Sequence, residues 1–148
     1  REIEFTLGFK RETVLRRYSP DSQEYATLKS RLEAPSLWDA FLKFIARRDY
    51  PVPQEILATV SQSEIVVSEA IIKILEDIYH KDPKLTQLCE SLIDLDEGIQ
   101  EWRYRHVKMV QRTIGMKQGT GGSDGANYLT ASLDKPIFPD LWQVRMSL

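Results

Sequence analysis

The chain has 148 residues, 20 Lys+Arg against 22 Asp+Glu, two histidines and one cysteine. That length fits one ordinary domain able to bury roughly 70% of its unfolded surface, and 42% hydrophobic with 28% charged residues is globular composition. A net charge of −2 argues against a nucleic-acid binder. A lone Cys89 excludes an internal disulfide framework or a Cys-rich zinc site, and no apolar run approaches the roughly 18 residues of a membrane span.

The chain opens at Arg1, without methionine, inside a helical pattern, so a removed N-terminus or a piece of a longer protein is expected. Ile3, Phe5, Leu7, Val14 and Leu15 predict a helix ending near Arg16-Arg17-Tyr18, broken by Ser19-Pro20-Asp21. A second helix is expected from about Asp21 to Glu33, with Tyr25, Leu28 and Leu32 on one face. Ala34-Pro35-Ser36 opens a third, whose Leu37, Trp38, Phe41, Leu42, Phe44 and Ile45 form a wide apolar face. Pro51 and Pro53 stop it, because proline removes a backbone donor and clashes with the preceding turn.

Ser63-Glu64 is expected to begin a fourth helix, carried by Ile65, Val66, Ala70, Ile71, Ile74, Leu75 and Ile78. The β-branched residues leave strand open over 65–67. Asp82-Pro83 is a start signal, an N-cap acceptor followed by proline at the first helical position. The pattern then continues to about Gly115, weakened only at Gly98. About 33 residues rising ~1.5 Å each give roughly 50 Å, longer than a compact domain about 40 Å across. Such a helix should pack against further chain or another subunit. Beyond it, four of the seven glycines lie between Gly119 and Gly125. A short helix from Asn127 to Leu133 and a final segment from Phe138 complete an all-α reading, a single unit over 1–148.

Among the chemistry-bearing residues, His106 lies mid-way along the long helix. It shares a stripe with Ile99, Trp102, Arg103, Met109, Val110, Thr113 and Ile114, while Glu101, Arg105, Lys108 and Arg112 lie opposite. Two readings stand: a core histidine hydrogen-bonded within the fold, or an imidazole on a rigid apolar wall, as a haem proximal site requires. His80, at a helix end, complements the helix dipole and carries no functional assignment. The Gly119–Gly125 loop either presents backbone N–H groups and the Thr120 hydroxyl to an anion or serves as a linker. It lacks the Gly-Lys-Ser/Thr of a phosphate-binding loop. Asp124 stands where a dinucleotide fingerprint needs its third glycine. Gly121-Gly122-Ser123-Asp124-Gly125 matches the hydrolase pattern, but both histidines precede Ser123, against the order of that triad.

Several segments taken together resemble a known family. Trp102-Arg103-Tyr104-Arg105-His106, Val110, Ile114-Gly115, Lys117, Gly119-Thr120-Gly121-Gly122-Ser123, Tyr128-Leu129 and Phe138-Pro139-Asp140-Leu141-Trp142-Gln143-Val144-Arg145 resemble the C-terminal half of the tryptophan 2,3-dioxygenases. Agreement extends back through Leu32 to Leu37 and to the Arg1–Gly8 segment. The resemblance covers the whole chain but about half of the family's usual length.

The resemblance implies an all-α haem enzyme, usually a cytoplasmic homotetramer, without nucleic-acid or membrane partners. Such enzymes insert both atoms of O2 across the C2–C3 bond of the L-tryptophan indole, giving N-formylkynurenine, the first step of tryptophan catabolism by the kynurenine pathway. It implies haem b with His106 as axial iron ligand, Trp102, Val110, Ile114 and Arg1 about the haem, and Thr120 with Gly119 and Gly121 at the substrate. The family's distal histidine, its carboxylate-gripping arginine and tyrosine, and a serine-glycine segment over the haem would lie upstream of Arg1. The 148 residues are therefore expected to need an N-terminal half for activity, with no catalytic residue of their own beyond the iron ligand. The alternatives are a cofactor-free helical interaction module and a serine hydrolase built on Ser123.

Overall fold

A computed structural model describes residues 2–8, 15–58, 65–114, 130–131 and 133–148. The described residues are helical and contain no strand, in agreement with the all-α expectation. In chain order the helices are α1 (Glu2–Leu7), α2 (Gln23–Glu33), α3 (Leu37–Ala46), α4 (Gln54–Ala58), α5 (Glu69–Lys81), α6 (Pro83–Ile114) and α7 (Pro139–Arg145).

The first predicted helix is interrupted: α1 ends at Leu7, whereas Leu15 is helical and the chain turns at residues 16–18, where the end was expected. Gly8 follows α1 with φ +108°, a left-handed conformation that ends the helix. A Cβ built on Gly8 would lie 3.0 Å from both Cβ and Oγ of Ser36, so a side chain would meet the start of α3. Leu15 to Tyr18 close a helical turn, and 9–14 lie outside the described residues.

Local chemistry sets the other ends. Ser22 caps α2 by accepting from the Tyr25 amide at 3.1 Å. Ser36 and Asp39 form a capping box on α3: the Ser36 amide donates to Asp39 Oδ2 at 2.7 Å, and the Asp39 amide donates to Ser36 Oγ at 3.1 Å. The short α4 went unread in the sequence, hidden by the prolines that precede it. The fourth predicted helix starts later than Ser63-Glu64. Ile65 to Ser68 are non-helical, and α5 begins at Glu69. The β-branched run Ile65-Val66-Val67 disfavours helix there, and Asp140 fixes the entry by accepting from the Ser68 amide at 2.7 Å.

Asp82-Pro83 works as expected. Asp82 Oδ1 accepts from the amides of Lys84 and Leu85 at 3.1 and 3.0 Å, and α6 runs 32 residues, roughly 48 Å. The core gathers Trp38, Phe41, Leu42 and Ile45 of α3, Ile71, Ile74, Leu75 and Ile78 of α5, Leu85, Cys89, Leu92 and Ile93 of α6, and Ile137, Phe138, Leu141 and Val144 around α7. Trp38 stacks on Phe41 and Phe138, with ring centroids 5.2 and 5.5 Å apart. Helices α5, α6 and α7 pack on one another, and α1 and α4 both lie against α3.

Candidate functional site

The site is built on the C-terminal half of α6. A helix turns about 100° per residue, so residues three, four and seven apart share a face. One face holds Leu85, Cys89, Leu92, Asp96, Arg103 and Val107, all buried. The adjacent face carries Leu88, Leu95, Trp102 and Met109, recurring every seven residues and 36%, 37%, 51% and 56% exposed. His106 sits between these faces and is half-buried, as is Val110.

The stripe read from the sequence is only partly core: Arg103 is buried and Ile99 packs against the core, whereas Trp102, Met109 and Thr113 are exposed. Its period was legible; its exposure was not. His106 is half-buried among the described residues and is not enclosed by them. Trp102 and His106, one turn apart, stack face to face with centroids 5.2 Å apart and planes inclined by 4°. The opposite face is solvated as expected. Glu101, Arg105, Lys108 and Arg112 are exposed, and Arg105 Nη2 donates to Glu101 Oε1 at 2.6 Å.

The buried face is held by polar groups that sequence reasoning missed. Asp96 is fully buried. Its Oδ2 accepts from the amides of Ile137 and Phe138 at 2.8 and 3.0 Å and from Trp142 Nε1 at 2.9 Å. Its Oδ1 accepts from Gln100 Nε2 at 3.1 Å. Three residues before His106, the buried Arg103 donates from Nη1 to the Lys135 carbonyl at 2.8 Å. These bonds tie residues 135–142 to α6 and fix which way it faces. The only sequence signal was that a charged Asp96 and Arg103 fall in register with Cys89 and Val107.

Two further carboxylates tie α5 to α7. Burial pushes the Asp140 carboxyl up to about 6, against the opposing pull of the Ser68 amide. Glu90 accepts from the Tyr79 hydroxyl at 2.6 Å and pairs with Arg145. The Tyr79 hydrogen bond, joined by Arg145, holds Glu90 below the usual carboxylate range although desolvation opposes this.

Arg1, Gly119, Thr120, Gly121 and Ser123 lie outside the described residues. So does most of the expected 127–133 helix, of which Thr130 is helical and Ala131 and Leu133 lie in a turn. Ile114 ends α6. The structure thus brings together His106, Trp102 and Val110 on one accessible wall.

The chain matches the family model described as tryptophan 2,3-dioxygenase over residues 1–148. It belongs to the tryptophan 2,3-dioxygenase family. A tryptophan 2,3-dioxygenase of Herpetosiphon aurantiacus is 51% identical over 148 residues, covering 100% of this chain and 56% of the relative. One from Anaeromyxobacter sp. strain K is 46% identical, with the same coverage of 100% and 56%. The Pseudomonas aeruginosa relative is 38% identical over 151 residues, covering 100% of this chain and 52% of its own. The chain thus spans about half the length of the curated family members it matches.

Does the wall fit the haem that the resemblance implies? His106 offers a nitrogen donor on a rigid helix, half-open to solvent. Beside it lie exposed apolar side chains, Trp102 and Met109, of the kind a macrocycle can cover. Among the described residues no three His, Cys, Asp or Glu side chains come together. A macrocycle supplying four nitrogens of its own asks only one more ligand of this helix. The residues present fit the group.

Proposed function

We propose that the chain is the haem-ligand-bearing C-terminal part of a tryptophan 2,3-dioxygenase. Such an enzyme inserts O2 into the C2–C3 bond of the L-tryptophan indole to give N-formylkynurenine. The observation that carries this reading is the family match across residues 1–148, with His106 on an accessible apolar wall. The chemistry that a bound haem b supplies is O2 activation at ferrous iron. His106 would hold the iron axially. Trp102, Val110 and Ile114 of α6, with Arg1, would line the macrocycle. Thr120, with Gly119 and Gly121, would meet the charged ammonium or carboxylate of the substrate through its hydroxyl and through glycine N–H groups.

Because the chain spans about half of its relatives, the other half is expected to complete the pocket, within a cytoplasmic homotetramer. No helix of the described residues is long and apolar enough to cross a membrane. The domain is accordingly proposed as one portion, 1–148, of a larger helical unit. The 148 residues alone are proposed to be inactive.

The test is an absorption spectrum of the full-length protein. A Soret band that H106A abolishes or shifts supports axial ligation, and an unchanged band in H106A refutes it. Robust N-formylkynurenine formation by residues 1–148 with haem and L-tryptophan would overturn the need for the other half.

A second reading is favoured by the seven-residue recurrence of Leu88, Leu95, Trp102 and Met109. Such a repeat suits a partner helix lying along α6. In a cofactor-free interaction module the same face would dock that helix, and added haem would give no Soret band dependent on His106.

A further inference from the structure

The Trp102–His106 pair asks for a role beyond lining a wall. Trp102 is 51% exposed, so its indole is not spent on the described core. Yet its plane lies within 4° of the imidazole plane, with centroids 5.2 Å apart. Residues four apart on a helix are one turn apart on one face, and α6 is continuous through both. An imidazole half-open to solvent can rotate about its terminal torsion, whose energy well is broad. A flat neighbour lying parallel to it favours one ring plane over the others. Below the pair, Arg103 and Asp96 hold α6 to residues 135–142, so the backbone that carries both rings is fixed. The plane of His106 is thus set from two sides, by the helix and by the indole face.

We infer that Trp102 is a positioning residue that sets the plane of the His106 imidazole, and with it the direction in which that ring presents its nitrogen. This rests on the reading of His106 as an axial haem ligand. A ring held in one plane binds iron without first losing its rotational freedom. It also gives the iron one defined axial field, not a spread of fields. A wall residue acting by apolar contact alone would do neither. It would exclude water equally well as leucine.

The experiment compares wild type, W102F, W102L and H106A in the full-length, haem-loaded protein. Electron paramagnetic resonance of the ferric cyanide adduct is the decisive readout. In that low-spin state the g-anisotropy follows the orientation of the single imidazole plane. W102F keeps a flat face and should keep the wild-type g-values. W102L keeps apolar bulk without the face and should broaden or shift them, with haem retention about two- to tenfold weaker. Far-UV circular dichroism of either variant should match wild type, because Trp102 lies outside the described core. A W102L spectrum identical to wild type overturns the proposal, as does a W102F spectrum disturbed as much as that of W102L. H106A separates the two claims: a wild-type cyanide spectrum in H106A means that the axial assignment itself is wrong. An altered H106A with an unaltered W102L means that only the role of Trp102 is wrong.

Discussion

Asp96 offers the sharpest test of how the fold is held. One carboxylate oxygen accepts three N–H donors, from Ile137, Phe138 and the Trp142 indole, and the other accepts from Gln100. Ile137 and Phe138 are fully buried, so water cannot replace the acceptor without opening the core. D96A strands at least those two backbone donors, at about 1–3 kcal/mol each. Adding the half-buried indole N–H, the expected loss is about 3–5 kcal/mol, comparable with breaking a buried ionic network by removing one partner. Against a total stability of order 5–15 kcal/mol, that is a large fraction. D96N should behave differently. Its carbonyl can take the place of Oδ2, and its NH2 can donate to Gln100 once that amide turns its oxygen inward. Its cost should be about 1 kcal/mol. Urea unfolding followed by far-UV circular dichroism on the full-length protein separates the two. Equal losses for D96A and D96N, or a D96A loss under about 1 kcal/mol, would refute the reasoning that hydrogen-bond acceptance is what Asp96 contributes.

Three other outcomes are expected. Asp140 titrates near 6 in the fold against 3.8 for a free side chain. The folded state therefore holds the proton more tightly, so stability from this group is greatest below pH 4 and falls as pH rises through about 6, by about 3 kcal/mol in all. D140N should flatten that slope in unfolding measured from pH 4 to 8; an unchanged slope would show that other groups carry it. Gly8 and Gly98 should respond in opposite directions. G8A forces a Cβ against Ser36 at φ +108° and should lower stability by about 1–2 kcal/mol, whereas G98A, with nothing within 4 Å of the new Cβ, should raise it by up to ~1 kcal/mol. Cys89 is buried, and burial pushes its thiol up to about 12. It should react with a thiol reagent only on unfolding, so rapid labelling of the native protein would contradict this.

The parts of the fold that were legible were those with local causes. Asp82-Pro83 and Ser36 start helices through hydrogen bonds reaching two or three residues along the chain, and such causes leave a mark in sequence. Gly8 was missed because a glycine within a helical pattern can be tolerated or can end the helix. The choice here goes with its packing on Ser36, 28 positions away. The start of α5 was misplaced for a similar reason, since the acceptor at Ser68 comes from Asp140, 72 positions on. For the site, periodicity placed Trp102 and His106 on one face but could not say whether that face was covered. Asp96 was invisible as a hub because two of its donors are backbone amides, which any residue but proline supplies.

The two faces of α6 explain each other. Residues 135–142 cover the side that bears Asp96 and Arg103, and they do so with hydrogen bonds that define one register. Hydrophobic burial alone would leave the helix free to settle at several rotations, because Leu88, Leu95, Trp102 and Met109 offer a neighbouring apolar sector. Turning α6 to bury that sector would break the bonds at Asp96 and strand its partners. The polar clamp therefore keeps Trp102 and Met109 at the surface, and His106 half-open, against their tendency to be buried. A histidine wall left accessible by such a clamp is available to a group that comes from outside these helices.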